Sequence, residues 1–373
     1  MYGADRVLLE LIAGLKVAGY AIQVVLPGPG PLKAEIEKLG VTVHEKNLGV
    51  LRRKYMSPMG LLNRTRRIIA SVRFLRTLID EHRIQIVHSN TTAVFSGVIA
   101  ARLSGVKHVW HVHEITTRPL WLARMVAFAV GRLTHKAVFV SQASLEHMCR
   151  LSPRVRDRAE LIHNGIDYAR VLDGQRGVIR SENGWSDANL VVGMVGRISW
   201  WKGQGKLVEC AAALRASHPH LRFLIVGGAF EGDVSSRQAV LESIDKADLH
   251  SVVAISDFRS DVGNVFFDID LFVLPSTEPD PFPTVVLEAM AAGKPVIAFR
   301  HGGVCELVEE KVTGILCTPC STDEMKAAIA RLADDPALAH EMGLAGRERL
   351  DRLFSRQAYI TRFKAVYRSL VLE

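Results

Sequence analysis

The sequence contains no long apolar run. No stretch of its 373 residues reaches the roughly 18 consecutive apolar residues that a membrane-spanning helix needs. The nearest candidate, Met125–Gly131, is short and lies between Arg124 and Arg132. The first residues, Met1 to Arg6, also lack the apolar core of a signal peptide. We therefore expect a cytoplasmic location, which includes the inner face of the membrane.

Cysteines are few, and the glycine pattern of a dinucleotide-binding loop is absent. The sequence has five cysteines. Cys317 and Cys320 have the spacing of a redox motif, but no second pair completes a zinc site. We interpret them as reduced thiols in a loop. No Gly-x-Gly-x-x-Gly follows a strand and opens a helix, which argues against a dinucleotide-dependent dehydrogenase.

Acidic residues are scarce in the first part of the chain. Residues 1–170 carry 25 Lys and Arg against 12 Asp and Glu, whereas residues 171–373 carry 22 against 27. The positive charge concentrates in a cluster comprising Arg52, Arg53, Lys54, Arg64, Arg66, Arg67, Arg73 and Arg76. Such a cluster is typical of a surface for anionic lipid or nucleic acid, although a solvated basic helix has the same composition. We expect peripheral contact with an anionic membrane and no nucleic-acid partner.

Short β-branched runs alternate with amphipathic segments along the chain, which predicts an α/β protein with parallel sheets covered by helices. The first series of predicted strands is Ala21–Leu26, Val41–His44, Ile84–His88, Val109–Glu114 and Lys136–Val140. We interpret the polar segment Asp173–Asp187 as a linker. The pattern then restarts with strands at Leu190–Val195, Arg222–Val226, Val252–Ile255, Leu271–Leu274 and Pro295–Phe299. Two doubly wound domains are predicted, with ligands at the carboxyl ends of the strands.

The most informative segment extends from Pro275 to Ala298. A strand leads into a proline-rich loop, and a helix then begins near Pro283. The N-terminus of a helix offers free N–H groups and a partial positive charge, which suit a phosphate. Asp280 precedes this helix and Glu288 lies inside it. Ionised carboxylates at these positions would accept hydrogen bonds from sugar and ribose hydroxyls.

This segment resembles the acidic-x7-acidic signature of the retaining GT-B glycosyltransferases of family 4, also called glycosyl transferases group 1. Members usually have Glu at both ends, whereas this chain has Asp280 at the first, with Glu278 as a competitor. The resemblance implies two Rossmann-like domains with a cleft between them. It assigns residues 1–170 to an acceptor-side domain, residues 171–355 to a donor-binding domain, and residues 356–373 to a helix that packs back toward the first domain.

Further motifs follow in the family's order. Gly196-Arg197 and Lys202-Gly203 resemble a loop in which Arg and Lys clamp the donor diphosphate, whose charge requires cations. The resemblance implies catalytic roles for His113, Arg197, Lys202, Asp280 and Glu288. It implies donor contacts by Gly3, Gly196, Gly227, Gly228, Phe258, Arg259, Phe282, Pro283, Thr284 and Val285.

His113 aligns with the cleft histidine of the family, although a lone histidine at a strand end is normally a packed imidazole. Asn90 and Thr91 end the neighbouring strand and are expected to line the acceptor side. Asp268-Ile269-Asp270 mimics the Asp-x-Asp metal motif of the other glycosyltransferase fold. We interpret it as structural, and we expect no metal and no obligatory cofactor.

By this resemblance, the expected activity is the transfer of a sugar from a nucleotide diphosphate sugar to a saccharide or lipid-linked acceptor, with retention of the anomeric configuration. Bacterial surface polysaccharide biosynthesis is the expected context. Two alternatives remain open: a nucleotide-sugar epimerase of related architecture, and a catalytically inactive GT-B protein that only binds its ligand.

One element of the family pattern is expected to be missing. Members begin with an apolar strand that leads into a glycine loop, whereas this sequence begins at Met1-Tyr2-Gly3, already inside that loop. In a 3-2-1-4-5-6 sheet the first strand is central, here between Ala21–Leu26 and Ile84–His88. Its loss would leave backbone groups of both neighbours unpaired, which is costly where they are buried. We therefore expect a first domain that is weakly stable or that borrows a strand from another chain, and a true start upstream.

Overall fold

A computed structural model describes residues 3–51, 57–228 and 234–372 of the chain. The chain divides into two compact units. Unit 1 comprises residues 1–166 and 355–373, and unit 2 comprises residues 167–354. The first segment of unit 1 thus ends at Ile166 rather than at residue 170, and residues 355–373 belong to unit 1.

Helices and strands alternate along both units. The elements up to residue 166 are α1 (Gly3–Val17), β1 (Gln23–Leu26), α2 (Pro31–Lys38), β2 (Thr42–Glu45), α3 (Pro58–Glu81), β3 (Ile86–Ser89), α4 (Ser96–Leu103), β4 (Lys107–Val112), α5 (Leu120–Leu133), β5 (Lys136–Phe139), α6 (Gln142–Leu151), a 3₁₀ helix (Pro153–Arg158) and β6 (Ala159–Leu161). Unit 2 contains α7 (Ala169–Leu172), α8 (Val178–Glu182), β7 (Leu190–Val195), α9 (Gln204–Leu214), β8 (Leu221–Val226), α10 (Val234–Lys246), β9 (Val253–Ser256), α11 (Val262–Asp268), β10 (Leu271–Leu274), α12 (Thr284–Ala291), β11 (Val296–Phe299), α13 (Val304–Leu307), β12 (Gly314–Cys317), α14 (Thr322–Asp334) and α15 (Pro336–Leu353). The chain then returns to unit 1 as α16 (Arg356–Leu372).

The described strands of unit 2 form one continuous parallel sheet in the order β12-β11-β10-β7-β8-β9. Counted from the first strand of the unit, this is the doubly wound 3-2-1-4-5-6 order. β7 occupies the centre, where Val192 pairs with Leu271 of β10 on one side and with Phe223 of β8 on the other. Strands covered on both faces consist of near-continuous apolar runs, and β10 and β11 are buried throughout.

The sheet of unit 1 is divided. Among the described residues, β1 pairs only with β2, and β3-β4-β5-β6 form a separate parallel sheet. β1 and β3, the strands predicted to flank the missing first strand, therefore lie in different sheets. Separate apolar clusters accompany them: Ile12, Ile36 and Val41 beside the first sheet, and residues of β4, β5, α5 and α6 beside the second.

The prediction that Asp173–Asp187 is a linker was wrong. Arg180, at the centre of α8, is almost fully buried in unit 2. Its guanidinium lies 2.6 Å from the Asp270 carboxylate and donates to the carbonyls of Ser186 and Asn189. Polar composition misled the interpretation because these polar groups satisfy one another inside the fold.

The interpretation of Cys317 as a loop residue was also wrong. Cys317 is the last residue of β12, which pairs in parallel with β11. Its side chain is buried, and burial raises the pKa of the thiol to about 12. Cys320 lies in an exposed turn beyond the strand.

The basic cluster lies largely on α3. Arg52, Arg53 and Lys54 lie outside the described residues, and Arg64 is buried. Arg66, Arg73 and Arg76 are exposed. Within the described ranges, no helix combines the length and the apolar composition needed to cross a bilayer.

Candidate active site

The candidate donor site lies at the carboxyl ends of β7 and β10 in unit 2. The strand order reverses between these two central strands, and in doubly wound sheets such a switch point is where ligands bind. The loop after β7 contains Arg197 and Lys202, and the loop after β10 contains Asp280. Thr277 N donates to the carbonyl of Trp201 over 2.7 Å. The two loops are therefore hydrogen-bonded to each other.

Gly203 explains how the first loop can lie against the second. Its φ is +81°, in the left-handed region, and a Cβ atom at this position would be 1.8 Å from the carbonyl oxygen of Pro275. Only glycine tolerates both constraints. Gln204, the first residue of α9, donates from Nε2 to the carbonyl of Arg197 over 2.9 Å. The loop that contains Arg197 and Lys202 is thus held by a hydrogen bond between its beginning and its end.

Lys202 and Asp280 form an ion pair. The distance from Lys202 Nζ to Asp280 Oδ2 is 2.5 Å, and the two side chains are only 16% and 12% exposed. The Lys202 ammonium also lies 4.3 Å from the centre of the Trp201 ring. Glu278, the competing acid, is exposed. The structure therefore places Asp280, and not Glu278, against the predicted phosphate-binding lysine.

A third loop, after β11, supports Asp280. Gly303 N donates to the carbonyl of Asp280 over 2.8 Å, and a Cβ atom on Gly302 would lie 2.4 Å from the same oxygen. His301 donates from Nε2 to the carbonyl of Ser276 over 2.7 Å. The sequence reasoning did not identify this support, although a glycine pair shortly after a buried strand was a signal of close backbone approach.

α12 begins directly after the Asp280 loop. Pro283 precedes its first residue, and no side chain in the described part of the chain caps its N-terminus. Val286 N donates to the carbonyl of Pro283 over 3.0 Å, and the helix dipole makes this end positive at the preceding N–H groups of Thr284 and Val285. Thr284 and Val285 lie in this first turn, and Glu288 is buried one turn further along.

Phe282 anchors the Asp280 loop through its buried ring. Its ring is buried and lies 5.8 Å from the ring of Phe354 in an edge-to-face arrangement. The Phe282 ring is thus packed within unit 2, and the predicted donor contact of this residue stays a prediction.

The glycine pair after β8 lies beside the first loop. A Cβ atom on Gly227, whose φ is +156°, would be 1.9 Å from the carbonyl oxygen of Gly196. The side chain of Phe258 is 59% exposed, and its Cβ is 3.7 Å from the position that a Cβ on Gly228 would occupy. A nucleobase can stack on the exposed Phe258 ring, because Gly228 beside it has no side chain to occupy the space.

Arg259 is committed to two carboxylates. Its guanidinium lies 2.6 Å from Glu182 and 2.7 Å from Asp261. The hydrogen bonds from Arg259 lower the pKa of Asp261 to about 2. The positive charge of Arg259 is thus balanced within unit 2, and its role as a donor contact stays a prediction.

The Asp-x-Asp motif has a structural function. Asp268 accepts hydrogen bonds from the backbone N–H groups of Gly177, Ile179 and Arg180 over 2.6, 2.7 and 3.2 Å. Asp270 accepts from Val191 N over 2.8 Å and pairs with Arg180. Among the described residues, no three His, Cys, Asp or Glu side chains are grouped as metal ligands.

In unit 1, the candidate acceptor-side residues lie at the carboxyl ends of β3 and β4. His113 donates from Nε2 to Asn90 Oδ1 over 3.2 Å, which leaves Nδ1 as the acceptor of the neutral ring. Burial, with a smaller effect of His88, lowers the pKa of His113 to about 3. The ring is therefore neutral near pH 7.

Glu114, which the sequence reasoning did not assign to the site, is held between Thr91 and Thr92. The hydroxyl of Thr91 donates to one carboxylate oxygen, and the N–H and hydroxyl of Thr92 donate to the other over 3.2 and 3.0 Å. Burial raises the pKa of Glu114 against the effect of these bonds. Its position directly after His113 was the only signal in the sequence.

Behind this edge lies a group of neutral histidines covered by α16. His88 Nδ1 and the Tyr367 hydroxyl are joined by a hydrogen bond of 2.7 Å, and the His111 ring lies 4.9 Å from Phe363. Neither ring nitrogen of His111 has a hydrogen-bond partner among the described residues. Burial lowers the pKa of His88 to about 4 and that of His111 well below its usual range.

Gly3, predicted to contact the donor from a loop, is instead the first residue of α1. Tyr2, which accompanies it in the predicted motif, lies outside the described residues. The proposed contact of Gly3 with a donor stays a prediction.

Comparison with known proteins places this geometry in a family. The family model for glycosyl transferases group 1 matches residues 175–349, and the model for glycosyltransferase family 4 matches residues 1–170. Together they cover most of both units. The chain belongs to the family 4 glycosyltransferases.

Curated relatives carry glycosyltransferase names. D-inositol 3-phosphate glycosyltransferase of Segniliparus rotundus is 27% identical over 72% of this chain and 60% of the relative. 2-Deoxystreptamine glucosyltransferase of Streptomyces kanamyceticus is 26% identical over 90% of each chain. Glycogen synthase of Mycobacterium tuberculosis is 32% identical, but the alignment spans only 47% of its length. The chain thus spans about half to three fifths of several of the curated relatives that it matches.

Solved structures agree on the fold. Anabaena HepE, solved in complex with UDP-glucose, is 24% identical, with a TM-score of 0.84 over 99% of this chain and 96% of that one. WaaG, a glycosyltransferase involved in lipopolysaccharide biosynthesis, is 16% identical, with a TM-score of 0.71 over 94% and 93%. These likenesses show that both Rossmann-like units belong to the GT-B fold.

Proposed function

We propose that this member of the family transfers a sugar from a nucleotide diphosphate sugar to a saccharide or lipid-linked acceptor, with retention of the anomeric configuration. The observation that carries the proposal is the convergence of Lys202, Asp280 and the open N-terminus of α12 at the switch point of the unit 2 sheet. HepE, whose fold is similar, was solved with UDP-glucose. A uridine nucleotide sugar is therefore the first donor to test.

The leaving diphosphate gathers negative charge as the glycosidic bond breaks. Arg197, Lys202 and the N–H groups of α12 supply positive charge at that point, and interactions that strengthen in the transition state accelerate the reaction. The Asp280 carboxylate holds the lysine before the donor arrives and can accept hydrogen bonds from sugar hydroxyls.

On the acceptor side, the neutral His113 can accept a hydrogen bond at Nδ1, because its Nε2–H is engaged by Asn90. We infer a polar, non-cationic role for this ring. A role in bacterial surface polysaccharide assembly is supported by the likeness to WaaG, a glycosyltransferase involved in lipopolysaccharide biosynthesis. With a lipid-linked acceptor, the enzyme would work at the inner face of the membrane.

The proposal is tested by turnover of three lysine and arginine variants. A panel of nucleotide sugars is first screened for thermal stabilisation, since a donor at about 100 times its dissociation constant adds roughly 2.7 kcal/mol. With the donor found, Arg197→Ala and Lys202→Ala should each lower turnover by about 10²–10³-fold, by analogy with lost oxyanion donors. The anomeric configuration of the product is read by NMR.

Lys206→Ala is the matched control. Lys206 lies on α9 and is also paired with a carboxylate, at 2.8 Å from Glu209, but on the exposed surface. It should keep normal turnover. Near-normal rates in both Arg197→Ala and Lys202→Ala would refute the assignment of the phosphate site. Release of a free epimerised nucleotide sugar without acceptor would favour an epimerase, and folded protein that binds donor but yields no product would favour a binding protein.

A further inference from the structure

α5 exposes a row of large apolar side chains on one face. Trp121 is 55% exposed and Phe128 is 59% exposed, with Leu120 and Met125 at 50% and 38%. These residues, together with Arg124 and Arg132 on the same face, are called the α5 stripe below. The opposite face of the helix packs into the apolar cluster of unit 1 through Leu122, Val126, Ala127, Ala129 and Val130.

The spacing shows that the stripe is a continuous strip and not a scatter of single residues. Trp121, Met125, Phe128 and Arg132 recur every three or four residues, which places them in one line along the helix. Exposed apolar side chains that are contiguous, rather than isolated, mark interaction surfaces.

The chain segment that contains the stripe carries charge of one sign. The sequence contains no Asp or Glu between Glu114 and Glu146. Arg118 precedes α5, and the guanidinium of Arg132 lies 6.0 Å from the centre of the Phe128 ring. Arginines whose apolar stems lie along aromatic rings can keep their charged heads at a polar boundary while the rings enter an apolar phase.

The neighbouring helices continue this surface. Arg102 of α4 donates to the carbonyls of Arg132 and Leu133 at the end of α5. Leu103, beside it, is exposed. α4 also packs against α3, whose exposed residues include Ile69, Arg66 and Arg73. α3 itself carries no acid before Asp80.

We propose that the α5 stripe docks unit 1 onto an anionic lipid bilayer, with α5 lying in the interface and its aromatic rings among the acyl chains. Helices that bind this way combine an aromatic and aliphatic face with arginines at its border. The fourteen residues of α5 extend about 21 Å, less than the roughly 30 Å of a bilayer core. A protein partner could also cover Trp and Arg, but the absence of any acid in the stripe favours a uniformly negative surface.

The position of the stripe suits a lipid-linked acceptor, a point that rests on the proposed function. α5 follows the loop that leaves β4 at His113, so the stripe begins near the candidate acceptor-side residues. The docking itself does not depend on catalysis, because vesicle binding is measured without donor or acceptor.

The test is co-sedimentation of the full-length protein with vesicles of phosphatidylcholine alone or containing about 30 mol% phosphatidylglycerol. We expect binding to the anionic vesicles only, with a partition coefficient that falls at high salt because ionic attraction is screened. The double variant Trp121→Ser/Phe128→Ser should lower the partition coefficient at least about tenfold. Arg124→Gln and Arg132→Gln should each lower it about fivefold.

Leu344→Ser/Leu353→Ser on α15 is the matched control, since both leucines are exposed apolar residues, at 50% and 43%, in unit 2. It should bind vesicles like the wild type. Circular dichroism melting checks that the stripe variant is folded. Unchanged vesicle binding by the folded stripe variant, equal binding to both kinds of vesicle, or no binding at all would overturn the proposal. So would a stripe variant that loses only self-association, which would identify a second copy as the occupant.

Discussion

The two units place titratable groups in their interiors in different ways. Unit 2 buries charge: Arg180 lies between Asp268 and Asp270, and backbone N–H groups donate to both carboxylate oxygens of Asp268. Unit 1 buries neutral rings: His88 and His111 lie under α16, with pKa values lowered by burial. A buried ion pair destabilises the fold when one partner is removed. A buried neutral histidine destabilises the fold when the pH falls, because the unfolded state then binds protons that the folded state does not.

Their sheets differ in a related way. In unit 2 the central strand β7 joins both halves of the sheet, and the loop that follows it carries Arg197 and Lys202. In unit 1 the described strands form separate sheets, and the candidate acceptor-side residues lie at the ends of β3 and β4. Unit 2 should therefore be the more cooperative of the two, and unit 1 the more sensitive to conditions.

The largest expected effect is on unit 2. Arg180→Ala should destabilise it by about 3–5 kcal/mol, because the buried carboxylate of Asp268 and the partly buried carboxylate of Asp270 lose their counter-charge. Denaturant unfolding followed by hydrogen exchange in α8 and β7 measures this loss. Arg176→Ala is the control, since Arg176 is half exposed and at least 3.8 Å from its acidic partners; it should cost under about 1 kcal/mol. Equal losses in the two variants would contradict the buried-charge description.

Lowering the pH should destabilise unit 1 before it destabilises unit 2. The pKa of His88 is about 4 and that of His113 about 3 in the folded protein, below the value of about 6.5 in the unfolded chain. The unfolded state thus binds more protons below about pH 6.5, and stability is lost as the pH falls. Each histidine removes roughly 1.4 kcal/mol per pH unit until its folded pKa is reached.

Hydrogen exchange at pH 7 and at about pH 5.5 should show faster opening of β3 and β4, with β7 and β10 unchanged. His111→Asn should weaken this pH dependence, because one buried ring no longer titrates. His250→Asn, at an exposed histidine beside Asp245, should leave it as in the wild type. A uniform acid effect on both units would remove the contrast between them.

The smallest expected effects separate the two acids of the candidate donor site. Asp280→Asn should lower transfer yet leave affinity for free nucleoside diphosphate nearly intact, if Asp280 contacts the donor sugar. Glu288→Gln should weaken that affinity about tenfold, roughly 1.4 kcal/mol, if Glu288 contacts the ribose. Calorimetric titration with UDP measures both, with the exposed Glu278→Gln as control. Equal affinity of both variants for UDP would show that this division of roles is wrong.

The fold was predictable where apolar runs are long and bounded. The predicted strands Leu190–Val195 and Leu271–Leu274 have the observed bounds, since buried parallel strands are apolar throughout. α15 and β12 were not predicted from the sequence. Segment 173–187 was misassigned because its charged residues are satisfied by partners about 90 positions away, such as Asp270 for Arg180.

The site was predictable only as a set of residue types. Resemblance identified Lys202 and Asp280, but their contact spans 78 positions and needed the switch point of the sheet to bring the loops together. Glu114 was missed because its partners, Thr91 and Thr92, belong to a different strand end. The ion pairs of Arg259 with Glu182 and Asp261 were not predicted from the sequence, because Glu182 lies 77 positions away. The roles of the site residues in catalysis stay predictions.

The discontinuous course of unit 1 has a consequence for its synthesis. Residues 355–373 complete unit 1, and α16 covers His88 and His111 with Tyr367 and Phe363. The ribosome makes these residues only after all of unit 2, which at about 5–20 residues per second takes roughly 10 to 40 s. During that interval His88 and His111 are not covered by α16, and chaperones and proteases can reach this surface of unit 1. Unit 2, translated as one uninterrupted stretch, can fold on its own in the meantime.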